Sequence, residues 1–361
     1  MSLKNSPTHA QGVTLSSILR TGPWKLTDLK DVPKNGLKVF SCFHCGGGSS
    51  MGYKLAGFDV LGGVEIDPEM MAIYKANHSP RFSYLMGVQE FKNIPDAELP
   101  AELFNLDILD GSPPCSSFST SGSREKKWGK ATHFREGQAV QVLDDLFFDF
   151  IDIAKKLQPK VVVAENVKGL IMGKARGYVK EIFAAFRAAG YEPQLFLLNA
   201  SRMGVPQARE RTFFIANRID APKLKLEFSE PPMTVRDAFN GIGNAGKGRP
   251  LTAETTRLYN KIKPGQSLCV AHHKGSRFGE YRLDGDAPAG TLTSNGRLYH
   301  YEDPRHLSSS EFSRLQSFPD DYNFLKTDAA YLCGMSVPPF MMQRVADQIA
   351  KQWFNEAQRQ V

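Results

Sequence analysis

Six short, mainly apolar runs constrain this chain more than any other feature: Val39 to Phe43, Val60 to Glu65, Leu106 to Leu109, Val161 to Ala164, Leu195 to Leu198 and Thr212 to Ala216. A strand with one wet face alternates apolar and polar residues, whereas one covered on both faces reads as continuous Val, Leu and Ile. Helical patterns lie between the runs, through Gly52 and Leu55, Met70 to Ala76, Val140 to Leu157 and Tyr178 to Ala189. In the third, Leu143, Leu146, Phe147, Phe150, Ile153 and Leu157 recur at helical spacing until Pro159 stops the run. This alternation implies an α/β fold built on a parallel sheet with helices on both faces. Ligands of such sheets bind beyond the carboxyl ends of the strands, where Glu65, Cys115 and Glu165 fall.

With 361 residues the chain exceeds the usual single domain, so two are expected. Residues 1–35 are polar and broken by Pro7, Pro23 and Pro33, and read as a leader outside the main core. After Asn217 the texture changes to a Pro- and Gly-rich stretch running to about Pro304, with 13 Lys/Arg, 10 Asp/Glu and interleaved tyrosines. A closing helix, Phe340 to Trp353, is amphipathic enough to dock back on the sheet. No apolar stretch is long enough for a membrane and no secretory signal is visible, so a cytoplasmic protein is expected. The net charge of +7 suits a polyanionic partner. Five cysteines, an odd and low count, argue for reduced thiols rather than a disulfide framework. Cys42-Phe43-His44-Cys45 lacks the two further ligands a structural zinc needs, so no metal is expected.

Cys115 follows Gly111-Ser112-Pro113-Pro114 directly after an apolar run, and two prolines cannot continue a central strand, so the thiol is presented where the strand breaks. Glu165-Asn166-Val167 ends the next run, and Gln207-Ala208-Arg209-Glu210-Arg211 leads into the last. Thiol, carboxylate and guanidinium are therefore expected on one sheet edge. Phe43-His44-Cys45-Gly46-Gly47-Gly48 leaves a strand and enters a helix, a turn that lets backbone approach a ligand at a positive helix N-terminus. The dinucleotide fingerprint fails in every register, because Ser49 or Met51 stands where glycine is required. Glu65 is placed to hold ribose hydroxyls. A nucleoside cofactor without a pyrophosphate fits these residues, and S-adenosylmethionine is one. The polar loop 116–137 carries Ser119, Ser121, Arg124, Lys126, Lys127 and Arg135, and reads either as disorder or as a lid over a phosphate backbone.

In order along the chain, the Pro-Cys turn with Phe118-Ser119, Glu165-Asn166-Val167, Gln207-x-Arg209-x-Arg211, Thr291-Leu292-Thr293 before Arg305, and Gly334 to Pro339 resemble the blocks of the DNA cytosine-5 methyltransferases. The resemblance implies a Rossmann-like, S-adenosylmethionine-dependent sheet in residues 36–216 plus 333–361, and a smaller target-recognition domain with its hinge in 217–332. It implies Cys115 as nucleophile, with Glu165, Arg209 and Arg211 around the base. Phe43, His44, Cys45, Gly46, Gly47, Gly48, Glu65, Ile66, Val88, Pro113, Ser336 and Val337 would hold S-adenosyl-L-methionine. Ser119, Ser121, Arg124, Lys126, Lys127 and Arg305 would meet double-stranded DNA, and a cognate restriction endonuclease would be the cellular partner. The chain departs from the family pattern at Cys45, Val88, Ser116 and Met335.

Chemistry calls for these residue types. Carbon 5 of cytosine is too weak a nucleophile to take a sulfonium methyl until a thiolate adds to carbon 6, and only the ionised thiol is reactive. The base must first be flipped from the duplex. Three other readings remain open: methylation of an exocyclic amine, since Ser112-Pro113-Pro114 is similar to the amino-methyltransferase motif; cytosine-5 methylation of RNA; and a catalytically silent DNA-binding protein.

Overall fold

The computed structural model describes residues 24–114, 145–172, 177–243, 248–294 and 297–354 in full, and only the backbone of 131–132, 141–142 and 176. The strands are β1 Lys38–Cys42, β2 Asp59–Glu65, β3 Phe82–Leu85, β4 Ile108–Gly111, β5 Ala131–Thr132, β6 Gln141–Val142, β7 Val161–Val167, β8 Glu192–Asn199 and β9 Glu210–Asn217. Seven form one sheet in the order β3-β2-β1-β4-β7-β9-β8, while β5 and β6 pair with each other. Helices α1 Gly48–Leu55, α2 Pro68–His78, α3 Val88–Phe91, α4 Leu146–Leu157 and α5 Arg176–Ala188 alternate with the strands.

All six expected strands form, but the sheet is mixed rather than parallel. Strand β9 runs antiparallel to β7 and to β8. The segment 200–209 joining β8 to β9 is too short for a crossover helix, so the chain can only double back. Strand β3 gave no sequence signal because it is short and half exposed. The helix expected from Val140 begins only at Leu146, and 141–142 are extended instead.

Alternate residues of the central strands enter two separate apolar clusters: Val39, Ile108, Val161 and Val163 on one face, Phe40, Leu109, Val162 and Ala164 on the other. Continuous apolar runs thus do mean burial on both sides. Helix α4 covers the second face with Leu146, Phe147, Phe150, Ile153 and Leu157. Each such side chain contributes roughly 2 kcal/mol of transfer free energy. Its end is set by Gln158 in the left-handed region, φ 55°, before Pro159.

On the first face, the closing helix Pro339–Trp353 packs against α1, and Gln343 donates to the Leu55 carbonyl at 3.2 Å. Two expectations change here. Trp24 is 1 % exposed, donates to the Ser317 carbonyl at 3.3 Å and packs on Phe340, so the described end of the leader belongs to the core. The irregular stretch after β9 also shares the core, through Val235, Leu283, Leu292 and Phe312. Only Leu251, Leu258, Tyr259, Ile262, Leu268 and Tyr299 form a small cluster of their own. No helix among the described residues is long and apolar enough to cross a membrane.

Candidate active site

The turn between β1 and α1 is backbone-strained. Phe43 and Cys45 both lie in the left-handed region, φ 55° and 51°, which costs an L-residue roughly 1 kcal/mol. At Cys45, glycine would carry no such cost. Gly47 needs its freedom, with φ 93° and a Cβ that would sit 2.2 Å from His78 Nε2. At Gly48 a Cβ would meet the Val337 carbonyl oxygen at 2.3 Å and Ser336 at 3.0 Å. At these positions a side chain would run into protein atoms. The effect of the glycines is to press the turn onto Leu332, Ser336 and Val337.

Helix α1 starts from Gly47, which has no side chain to cap it, so its first-turn amides are available to an anion. Across the turn, Glu65 ends β2 and accepts from the Cys45 amide at 2.8 Å and the Asp67 amide at 3.0 Å. Burial raises its carboxyl above the usual range while those amides oppose the shift. Each oxygen keeps a lone pair for a hydroxyl. Burial, then the charge of Glu65, pushes the Cys45 thiol up to about 12, so it is inert. His44 is stacked on Tyr74, whose other face carries His78. Ile66 is half-buried, and the Val88 side chain lies in the second core cluster, so it offers only apolar contact.

Glu165 and Arg211 meet as expected. They stand on neighbouring strands, where Val167 faces Arg211 across the ladder, and Arg211 Nε reaches Glu165 Oε1 at 3.0 Å. Both are nearly buried, 12 % and 10 % exposed at the side chain. Burial works against the Arg211 charge and Glu165 supports it. Beside them Asn166 Nδ2 donates to the Pro113 carbonyl at 3.0 Å, which fixes the end of the β4 extension to β7. Cys115, Ser119, Ser121, Arg124, Lys126 and Lys127 lie outside the described residues; that described segment stops at Pro114, one residue before Cys115.

Arg209 and Arg305 are not where the sequence suggests. Arg209 is 2 % exposed and donates from Nη1 to the Leu292 carbonyl and from Nη2 to the Gly334 carbonyl, both at 2.9 Å. It braces the irregular region against the Ser336 segment. Arg305 makes a bidentate pair with Glu311 at 2.7 and 2.8 Å and a third contact with Asp303, and is 12 % exposed. Its charge is paired within the fold, and the pair ties the turn at 303–306 to the helix Ser309–Leu315.

Sequence reasoning passed over three participants. Gln316 accepts from Gln207 at 2.6 Å and donates to the Ser336 carbonyl at 2.7 Å, while the Leu292 amide donates to Gln207 at 2.9 Å. Asn166 was quoted within its block but given no task. Asp110, a charged residue closing an apolar run, is 2 % exposed. Its oddity in that run is the signal that could have found it. No group of three or more His, Cys, Asp or Glu among the described residues is arranged to hold a metal.

A sheet of this order, with β9 antiparallel between β7 and β8, is a Rossmann-like fold. An E. coli prophage protein described as a DNA modification methyltransferase shares the fold with TM-score 0.68 and 22% identity, over 89% of this chain and 100% of its own. The S. pombe Dnmt2 methyltransferase does so with TM-score 0.60 and 14% identity, over 88% and 99%. The model of the C-5 cytosine-specific DNA methylase family matches residues 37–351, and the chain belongs to that family. It is similar to Type II methyltransferase M.NgoPII of Neisseria gonorrhoeae, 28% identical over 88% of this chain and 96% of the relative. Type II methyltransferase M1.HphI of Haemophilus parahaemolyticus is 29% identical over 89% and 88%. The protein is thus a DNA cytosine-5 methyltransferase.

Proposed function

We propose that the protein methylates carbon 5 of a cytosine flipped from duplex DNA, with Cys115 as nucleophile and Glu165 and Arg211 gripping the base. The observation that carries this is the Glu165–Arg211 pair at the sheet edge, with Pro113 tied beside it by Asn166 two residues before the thiol. The Cys115 thiolate adds to carbon 6, forming the S–C6 bond and moving electron density onto carbon 5. Glu165, sharing a proton with ring nitrogen 3 and accepting from the exocyclic amine, stabilises the charge that develops. Arg211 donates to the carbonyl oxygen. Arg209, committed to two carbonyls, positions this edge without touching the base. When bound, S-adenosylmethionine supplies the methyl that carbon 5 accepts. Water or a solvent-connected base takes the carbon 5 proton, and the S–C6 bond breaks to release Cys115.

The residues present fit that donor. The uncapped first turn of α1 suits its carboxylate, and the spare lone pairs of Glu65 suit ribose hydroxyls. Phe43, Ile66, Val88, Ser336 and Val337 would complete the walls. The basic loop after Cys115 would close over the DNA backbone. Likeness to Type II methyltransferases supports a cytoplasmic role beside a restriction endonuclease of the same specificity. Bisulfite sequencing of DNA from a methylation-free host expressing the chain should show 5-methylcytosine at one sequence, and Cys115→Ala should abolish it while donor binding persists. DNA with 5-fluorocytosine at that site, offered with the donor, should become covalently joined to the enzyme; no adduct would refute the thiolate route.

A further inference from the structure

Asp110 is a buried carboxylate held without fixing its charge. Its Oδ2 accepts from Ser49 Oγ at 2.7 Å and Ser41 Oγ at 3.1 Å, and Oδ1 accepts from the Tyr53 hydroxyl at 3.3 Å. Hydroxyls can satisfy either an ionised or a protonated carboxyl, because they donate or accept. The other two carboxylates of this edge are compensated, Glu165 by Arg211 and Glu65 by two amides. Asp110 faces Ser41 and the Cys42 thiol on β1, Ser49, Ser50 and Tyr53 on α1, Tyr74 on α2 and Glu165 on β7. None is a cation. Burial, with Glu165 adding, raises its carboxyl to about 7, against the pull of the three hydroxyls. An acid in that condition holds a proton near neutral pH and gives it up when a positive charge comes close.

The place is specific. Ser41 lies one residue before the end of β1 and Ser49 in the first turn of α1, so both bonds anchor the two ends of the turn Phe43–Gly48. Asp110 itself is paired with Ser41 across the ladder and precedes Gly111–Pro114, the approach to Cys115.

We propose that Asp110 is the counter-charge for the sulfonium of the methyl donor, and so distinguishes the cationic donor from its neutral thioether product. This rests on the donor reading above. A cation arriving over this edge favours the ionised carboxyl, so donor binding near neutral pH releases a proton. S-adenosylhomocysteine shares every other group of the donor but lacks that charge, and leaves the proton in place. Exchange of spent product for fresh donor is thereby favoured.

Calorimetry on the full chain at pH 7, in two buffers of different ionisation enthalpy, tests this once the free ligands' own amine titration is subtracted. S-adenosylmethionine should release about half a proton, as a carboxyl near 7 requires, and S-adenosylhomocysteine close to none. In Asp110→Asn the release should fall to the product's level, and the preference for donor over product should drop several-fold. Equal release for both ligands in the wild type, or an unchanged difference in the variant, overturns the proposal. If the variant does not fold, the wild type decides alone: donor affinity must rise between pH 6 and 8 while product affinity stays flat, and parallel slopes are fatal. Failure of both ligands to bind would take down the donor reading and the counter-charge together, whereas binding with equal release removes only the counter-charge.

Discussion

The parallel strands and the irregular stretch that follows β9 are joined to the core by different forces. Val39, Ile108, Val161 and their neighbours are held by ladder bonds and dry contact on both faces, which depend on no single partner. The region after β9 adds to its apolar contacts a set of individual polar fasteners: Arg209 to Leu292 and Gly334, Gln316 between Gln207 and Ser336, and Arg305 to Glu311. Arg314 adds the carbonyls of Ala238 and Asn240 and the carboxylate of Asp320. Apolar packing tolerates change in sequence. Buried polar fasteners do not, because each leaves an unsatisfied group behind when its partner is lost.

The sharpest way to break this contrast is Arg209→Met. Two buried carbonyls lose their donor, and thermal unfolding should show a loss of about 3 kcal/mol. A loss no larger than Ile→Val in β7's neighbourhood, about 1 kcal/mol, would place Arg209 among the ordinary packing residues. Next, Arg305→Ala should lower stability by about 2 kcal/mol by stranding Glu311. It should leave the dependence of DNA affinity on salt unchanged, whereas Lys126→Ala in the loop should reduce that slope by about one unit. Equal changes in slope would return Arg305 to the DNA interface.

The stack of His44, Tyr74 and His78 beside the turn Phe43–Gly48 gives a third test, on the strand-and-helix side. Burial pulls His78 well below its usual range and His44 to about 4, and three of their ring nitrogens have no partner. Both histidines stay neutral in the fold while the unfolded chain takes up protons below pH 6.5, so their contribution to stability falls as pH drops. His78→Phe should stabilise by about 1 kcal/mol at pH 7. At pH 5 the advantage over wild type should grow by about 2 kcal/mol. An advantage that does not grow would show that His78 is charged in the fold. The smallest effect is expected for Cys45→Gly. It relieves a left-handed residue but removes the 3.5 Å contact of Sγ with Met70. Denaturant titration should find a change under about 1 kcal/mol.

The strands were legible because burial on both faces writes itself into consecutive residues, and α2 because the stretch Met70 to Ala76 carries a helical pattern. The Glu165–Arg211 meeting was legible because each residue ends or begins an apolar run, and adjacent strands bring such ends together. Asp110 and Gln316 were not, since their tasks depend on residues 61 and 109 positions away. Arg209 and Arg211 look alike in the sequence, two apart in one motif, yet only Arg211 reaches the carboxylate.

By itself the sequence determined six of the seven sheet strands and the breaks after them, because periodicity, proline breaks and glycine turns act over a few neighbouring residues, and its ordered motifs carried the resemblance to the family. Only the tertiary structure decided that β9 runs against its neighbours, that Arg209 and Arg305 are engaged within the fold, and that no cation among the described residues faces Asp110. Those are facts about which distant groups share a desolvated space, and a buried charge takes its role from the partner that docking supplies.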